Sequence, residues 1–153
     1  MSERLHLLRQ DMEAELTAIG RILAALHQSD TDLDESRNAI VAAYYLHNLY
    51  NAFENLFRLV AEAFENHVPD PSRWHTLLLD RMGRDVEGIR PRLIGETALK
   101  SLDELRRFRH VFRHVYHYDL DPEGVKRALA AAYRLEAAYG EDVELFFAFL
   151  SHL

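Results

Sequence analysis

Apolar residues recur at spacings of three and four along most of the chain, the period of amphipathic helices, and no stretch alternates as a half-buried strand would. Leu5, Leu8, Met12, Leu16, Ile19, Ile22, Leu23 and Leu26 make one continuous stripe, which predicts a helix over about 3–28 with its charges opposite. Ser29 to Ser36 is acidic and rich in N-cap residues, so it reads as a solvated, capping turn into a second helix from about Arg37 to Asn66. Val68-Pro69-Asp70-Pro71 stops that helix, because proline lacks the amide donor and disfavours helix in the residue before it. A shorter third helix carries Trp74, Leu77, Leu78 and Met82, and Gly83 to Gly95 reads as a loop containing part of a turn. The fourth helix starts either at a capping box, Ser101-x-x-Glu104, or earlier, between Pro91 and Thr97. It bears Leu102, Leu105, Phe108, Phe112 and Val115 and ends near Tyr118. Asp121 then supplies an N-cap, with Pro122 at the first helical position and Glu123 in the first turn. These open a last helix to about Leu150, in which Gly140 is a potential kink.

Short connections force neighbouring helices to lie antiparallel, so the pattern predicts an all-α fold, an up-and-down bundle of four long helices plus a short one. A chain of 153 residues fits one domain, 1–153, able to bury a core of its own. With 48% apolar and 28% charged residues it lies far from the composition of disordered chains. Cysteine is absent, which removes disulfides, thiolate metal sites and cysteine nucleophiles. The start of the chain lacks the apolar run of a secretory signal. The longest uncharged stretch, Asn38 to Phe53, is broken by His47, Asn48 and Asn51 and falls short of the ~20 residues that span a bilayer. A soluble cytoplasmic protein with no membrane partner is expected.

Charge changes the picture at one place. The formal net charge is −7, from 18 Lys and Arg against 25 Asp and Glu, which opposes indiscriminate coating of nucleic acid. Yet Arg106 to His117 contains Arg106, Arg107, Arg109 and Arg113 with His110, His114 and His117 and no acid, while the rest of the chain carries −11.

Within that segment Arg109 is followed after four intervening residues by His114 and, after one more intervening residue, by Tyr116. Histidine, with an unperturbed pKa of about 6.5, exchanges protons near neutral pH. Arginine stays charged, and its planar fork matches phosphate and can hold the charge that accumulates on pentacoordinate phosphorus. Together they suit metal-free RNA cleavage, in which a ribose 2′-hydroxyl attacks the adjacent phosphorus and leaves a 2′,3′-cyclic phosphate and a 5′-hydroxyl. At about 100° per residue, Tyr116 lies about 20° and Arg113 about 40° from Arg109, on opposite sides, whereas His114 lies about 140° away. Either the helix distorts near His114, or the same segment of a second chain completes the group across a two-fold axis; the homodimer is the favoured reading.

The Arg-x4-His spacing, with polar His110 after the arginine, resembles the signature of the HEPN superfamily of helical ribonucleases, and the fuller pattern with Tyr116 resembles its HepT-like branch of bacterial and archaeal toxins. The string Leu105 to Tyr116, followed by Asp119-Leu120-Asp121-Pro122, and the segment Leu49 to Phe57 on the second helix are both similar to that branch. The resemblance implies a HEPN-like bundle that is a dimeric, metal-independent RNA endonuclease without a cofactor, the toxin of a toxin–antitoxin pair. Its implied antitoxin partner is a minimal nucleotidyltransferase that silences it by transferring AMP to Tyr116, with Tyr118 as a neighbouring competitor. On this reading Arg109 stabilises the transition state, His114 is general base or acid, and His110 and Arg113 support the substrate phosphate.

Blander readings stand beside these. Arg109 on an inward face can be a structural residue paired to Glu54, His114 an ordinary surface or core histidine, and Tyr116 a packing residue. His110, His114 and His117 have metal-compatible spacings, but three nearby arginines and the lack of a carboxylate among them oppose a cation, so no metal is expected. Tyr44, Tyr45, Tyr50, Phe53 and Phe57 read as core or dimer contact rather than a base-stacking platform. The alternatives to a nuclease are a non-catalytic module of the same fold that partners a nucleotidyltransferase or binds RNA or nucleotide, and a structural helical dimer.

Overall fold

The structure, a computed structural model, describes residues 1–65, 73–114 and 120–153. Its five helices are α1 (Glu3–Gln28), α2 (Ser36–Phe64), α3 (Trp74–Met82), α4 (Glu96–Arg113) and α5 (Pro122–Ser151), and no strand occurs among the described residues. The all-α expectation holds. Side-chain bonds between helices give their directions. Arg4 donates to the carbonyls of Glu62 and Ala63, so α1 and α2 are antiparallel. Asn51 meets Arg109 while His47 meets Phe112, which makes α2 and α4 antiparallel. The Gly95 amide donates to Asp142 and Arg134 donates to Glu104, so α4 and α5 run oppositely as well. Arg9 reaches Ser151 and His27 reaches Glu136, which closes the ring between α1 and α5. The four long helices therefore alternate up and down, and α2 touches every other helix.

That central place explains the composition of α2. Leu46, Leu49, Tyr50, Phe53, Leu56, Phe57 and Val60 are buried. They meet Met12, Ile19 and Leu26 of α1, Leu102 and Leu105 of α4, and Val125, Leu135 and Phe146 of α5 in one core. Each fully buried large apolar side chain stabilises the fold by about 1.5–3 kcal/mol. The aromatic run divides: Tyr50, Phe53 and Phe57 are in the core, whereas Tyr45 is partly buried and Tyr44 is exposed.

Local signals fix some helix boundaries and not others. Asp121 caps α5 by accepting from the Glu123 amide with Pro122 in the first turn, as expected, and the helix runs unbroken through Gly140. Of the two starts expected for α4 the earlier one holds: the helix begins at Glu96, and Ser101, not a cap, is buried with its hydroxyl donating to the Thr97 carbonyl inside it. The Val68–Pro71 breaker lies outside the described residues; α2 ends at Phe64, close to the expected Asn66, whereas α4 stops at Arg113, its last turn tightening at His114, short of the expected end near Tyr118. Between α3 and α4 the chain turns at Gly88, whose φ of +76° is a conformation L side chains avoid. The fully buried Arg90 fastens this connection: its guanidinium bonds the Glu65 carboxylate at the end of α2 and the carbonyls of Arg81, Arg84 and Pro91. No helix among the described residues is long and apolar enough to cross a membrane.

Candidate functional site at the end of α4

The basic segment occupies the last turns of α4, and its arginines are not equivalent. Arg106 and Arg107 both donate to Asp103 one turn earlier, outside the acid-free run, while neighbouring Glu104 accepts from Arg134 of α5. Burial pulls the Asp103 carboxyl pKa upward, but the bonds from Arg107 and Arg106 outweigh it and hold the carboxyl below its ordinary value. Arg109, the motif arginine, and Arg113 have no acid partner among the described residues.

Arg109 faces α2. Its Nε donates to Asn51 Oδ1 at 2.7 Å, and its guanidinium carbon lies 5.9 Å from the centre of the Tyr50 ring, within reach of a cation–π contact. The structural alternative for Arg109 paired it with Glu54. That partner is corrected: buried Glu54 binds His75 of α3, because Glu54 stands three residues further along α2, nearly a turn toward α3. On the same α2 face the Asn51 Nδ2 lies 3.1 Å from His47 Nε2, and the His47 ring sits 5.6 Å from that of Phe112. Burial, Arg109 and Arg113, in that order, all lower the His47 pKa from its ordinary 6.5, so the ring is neutral near physiological pH. The Tyr50 hydroxyl and His47 Nδ1 are buried with no hydrogen-bond partner among the described residues. Burial, then Glu54, pushes the Tyr50 pKa up, and the phenol stays protonated.

His110 and His114 face the other way. α4 ends at Arg113 with His114 as C-cap, its amide turning back to the Val111 carbonyl in a tightened last turn. The two imidazoles stand edge to face with centroids 4.6 Å apart. They line a cleft of about 870 Å³ between α4 and the start of α5, together with Arg107, Phe108, Val111 and Arg127. The structure thus brings His110 to His114, and Arg109 to Arg113's side of the helix, but it does not bring Arg109 and His114 together within one chain. Tyr116 lies outside the described residues. Among those described, no three His, Asp or Glu side chains converge as a metal-binding group.

His47 and Asn51 are site residues that motif reading passed over. The signal was present: both interrupt the long uncharged stretch of α2 at a four-residue spacing, which places them on one face.

An all-α bundle whose fourth helix ends in guanidinium and imidazole groups, of which Arg109, Arg113, His110 and His114 have no acid partner among the described residues, is the class these features define. A family model described as HepT-like protein matches residues 39–150, from the first turns of α2 to the end of α5. The chain belongs to this HepT-like family, of the HEPN type. No curated protein and no solved structure matches it.

Proposed function

We propose that this chain is a metal-independent RNA endonuclease, a HepT-like toxin that works as a homodimer. The observation that carries the reading is the sorting of charge on α4: Asp103 engages Arg106 and Arg107, while the motif arginine, Arg109, and Arg113 have no acid partner among the described residues and are left to act on an incoming phosphate. Arg109 is held through Nε alone, and its terminal Nη pair donates to no group among the described residues, so both nitrogens remain for two phosphate oxygens. His114, exposed at the helix end with His110 beside it, takes the 2′-hydroxyl proton. The 2′-oxygen bonds to phosphorus, the bond to the 5′-oxygen breaks, and that oxygen leaves with a proton delivered by a second imidazole. Arg109 holds the charge of the pentacoordinate state, and His110 and Arg113 hold the flanking phosphate.

Arg109 and His114 look out on different sides of α4, which supports a composite site in which Arg109 of one copy works with His114 of a second across a two-fold axis. Regulation follows from the same chemistry. A minimal nucleotidyltransferase would transfer AMP from ATP to the Tyr116 hydroxyl with release of pyrophosphate, and the added phosphodiester would occupy the groups meant for RNA.

The test is cleavage of end-labelled RNA in EDTA. Cyclic-phosphate ends are expected, and His114→Ala is expected to abolish them with helicity unchanged. RNA binding without cleavage would identify a non-catalytic module instead, and no RNA affinity at low salt would leave a structural dimer.

A further inference from the structure

Resting on the nuclease reading above, a second group of residues bears on the geometry of Arg109. The hydrogen bonds from Arg109 to His47 have a fixed direction. Arg109 Nε–H can only donate, so at 2.7 Å the Asn51 atom facing it is the oxygen. The Asn51 nitrogen is thereby turned to His47, and since an amide NH2 can only donate, His47 Nε2 must accept at 3.1 Å. The ring is therefore neutral with its proton on Nδ1, although Nδ1 is buried with no partner among the described residues. That tautomer is imposed by Asn51 and not by any bond Nδ1 makes.

We propose that Asn51 and His47 are positioning residues for Arg109: neutral His47 holds the Asn51 amide in the orientation that takes the Arg109 Nε–H, leaving the Nη pair for phosphate. A proton on His47 Nε2 opposes the Arg109–Asn51 bond. With Nε2 protonated, the amide must either face it N–H to N–H or flip, and the flip turns Nδ2 against the Arg109 Nε–H. The groups that face His47 from α4 are the cations Arg109 and Arg113 and the ring of Phe112; from α2 it meets neutral Asn51. Both cations oppose the added proton, so the relay is closed at neutral pH and opens on acidification.

The test uses the uniformly 15N-labelled full chain. His47 should show an unprotonated Nε2 and a protonated Nδ1 at neutral pH. The Arg109 Nε–H resonance, assigned by its loss in Arg109→Lys, should be protected from exchange, vanish in Asn51→Ala and fade as His47 titrates. In RNA cleavage, Asn51→Ala and His47→Leu should each lower kcat about 10- to 100-fold with KM changed by less than about threefold, the mark of a misplaced transition-state group. His47→Gln places an acceptor near the same point without a titrating ring. It should recover most of kcat and keep the Arg109 resonance to lower pH. A protonated Nε2, or an Arg109 resonance indifferent to Asn51→Ala and to pH, would overturn the relay. Absence of cleavage by the unmodified protein would refute the nuclease reading and leave the relay to the resonance experiment; cleavage with an indifferent resonance refutes the relay alone.

Discussion

Replacing Asp103 by asparagine should tighten RNA binding, because it releases two guanidiniums that the native acid holds. Asp103 accepts from both Arg106 and Arg107, whose side chains are 26% and 68% exposed, so Arg107 gains a full phosphate contact and Arg106 at most another. For single strands each phosphate contact adds about 0.7 to the slope of log affinity against log salt. The variant's slope should therefore be steeper by about 0.7 to 1.4, and binding at 0.1 M salt should tighten by about 5- to 25-fold relative to the change at 1 M. The carboxyl pKa is held low by Arg107 and Arg106 against the upward pull of burial, so mild acid does not reproduce the effect and the substitution is required. Fluorescence anisotropy of a labelled 2′-O-methyl RNA, which has no free 2′-hydroxyl and cannot be cleaved, measures affinity across a salt series. The loss of stability should stay within about 1 kcal/mol, since these pairs are partly solvated. An unchanged slope would show that Arg106 and Arg107 lie outside the path of RNA, and weaker binding would refute the phosphate-facing reading of this segment.

Arg90→Ala leaves the Glu65 carboxylate, its side chain only 9% exposed, with Arg81 as its remaining partner among the described residues, and denaturant melts should show a loss of about 3–5 kcal/mol. Tyr50→Phe should leave stability unchanged or raise it by about 1 kcal/mol, because it removes a buried hydroxyl without a described partner; a clear loss would mean the hydroxyl is bonded. His47 has a folded pKa below its ordinary 6.5, so its contribution to stability is complete above that value and is lost as pH falls through the folded pKa. Melting temperatures followed across that window should decline less in His47→Gln than in the native chain, and equal declines would contradict a depressed His47.

The helices were readable because their stripes face one core. Period three-to-four spacing is what α2 needs when it touches four neighbours, and Asp121-Pro122-Glu123 states the start of α5 in local chemistry alone. Ser101 misled because a capping box records only which residues are present. Burial against the core decides that Ser101 is interior, and burial is a property of the packed bundle. The same limit hid much of the site. Arg109 and His114 could be named from spacing, and the 140° between them anticipated that they would part. What holds Arg109 could not be named, since whether Glu54 or Asn51 meets it depends on the register of α2 against α4, fixed by side chains that interdigitate across tens of residues. Asp103 was overlooked for a simpler reason: it stands one helical turn before the basic run, so counting charge within the run omits the acid that holds two of its four arginines.

The placement of Arg109 and His114 on opposite flanks of α4 has a genetic consequence. If each working centre borrows its arginine from one subunit and its imidazole from the other, two dead alleles can rescue one another. Subunits carrying Arg109→Ala, mixed with subunits carrying His114→Ala, would form hybrids in which one centre inherits both intact groups and the other inherits neither. With random pairing, half of the particles would be such hybrids, and about a quarter of native turnover would return from two preparations that are each silent. A site contained within one subunit would stay silent in every mixture.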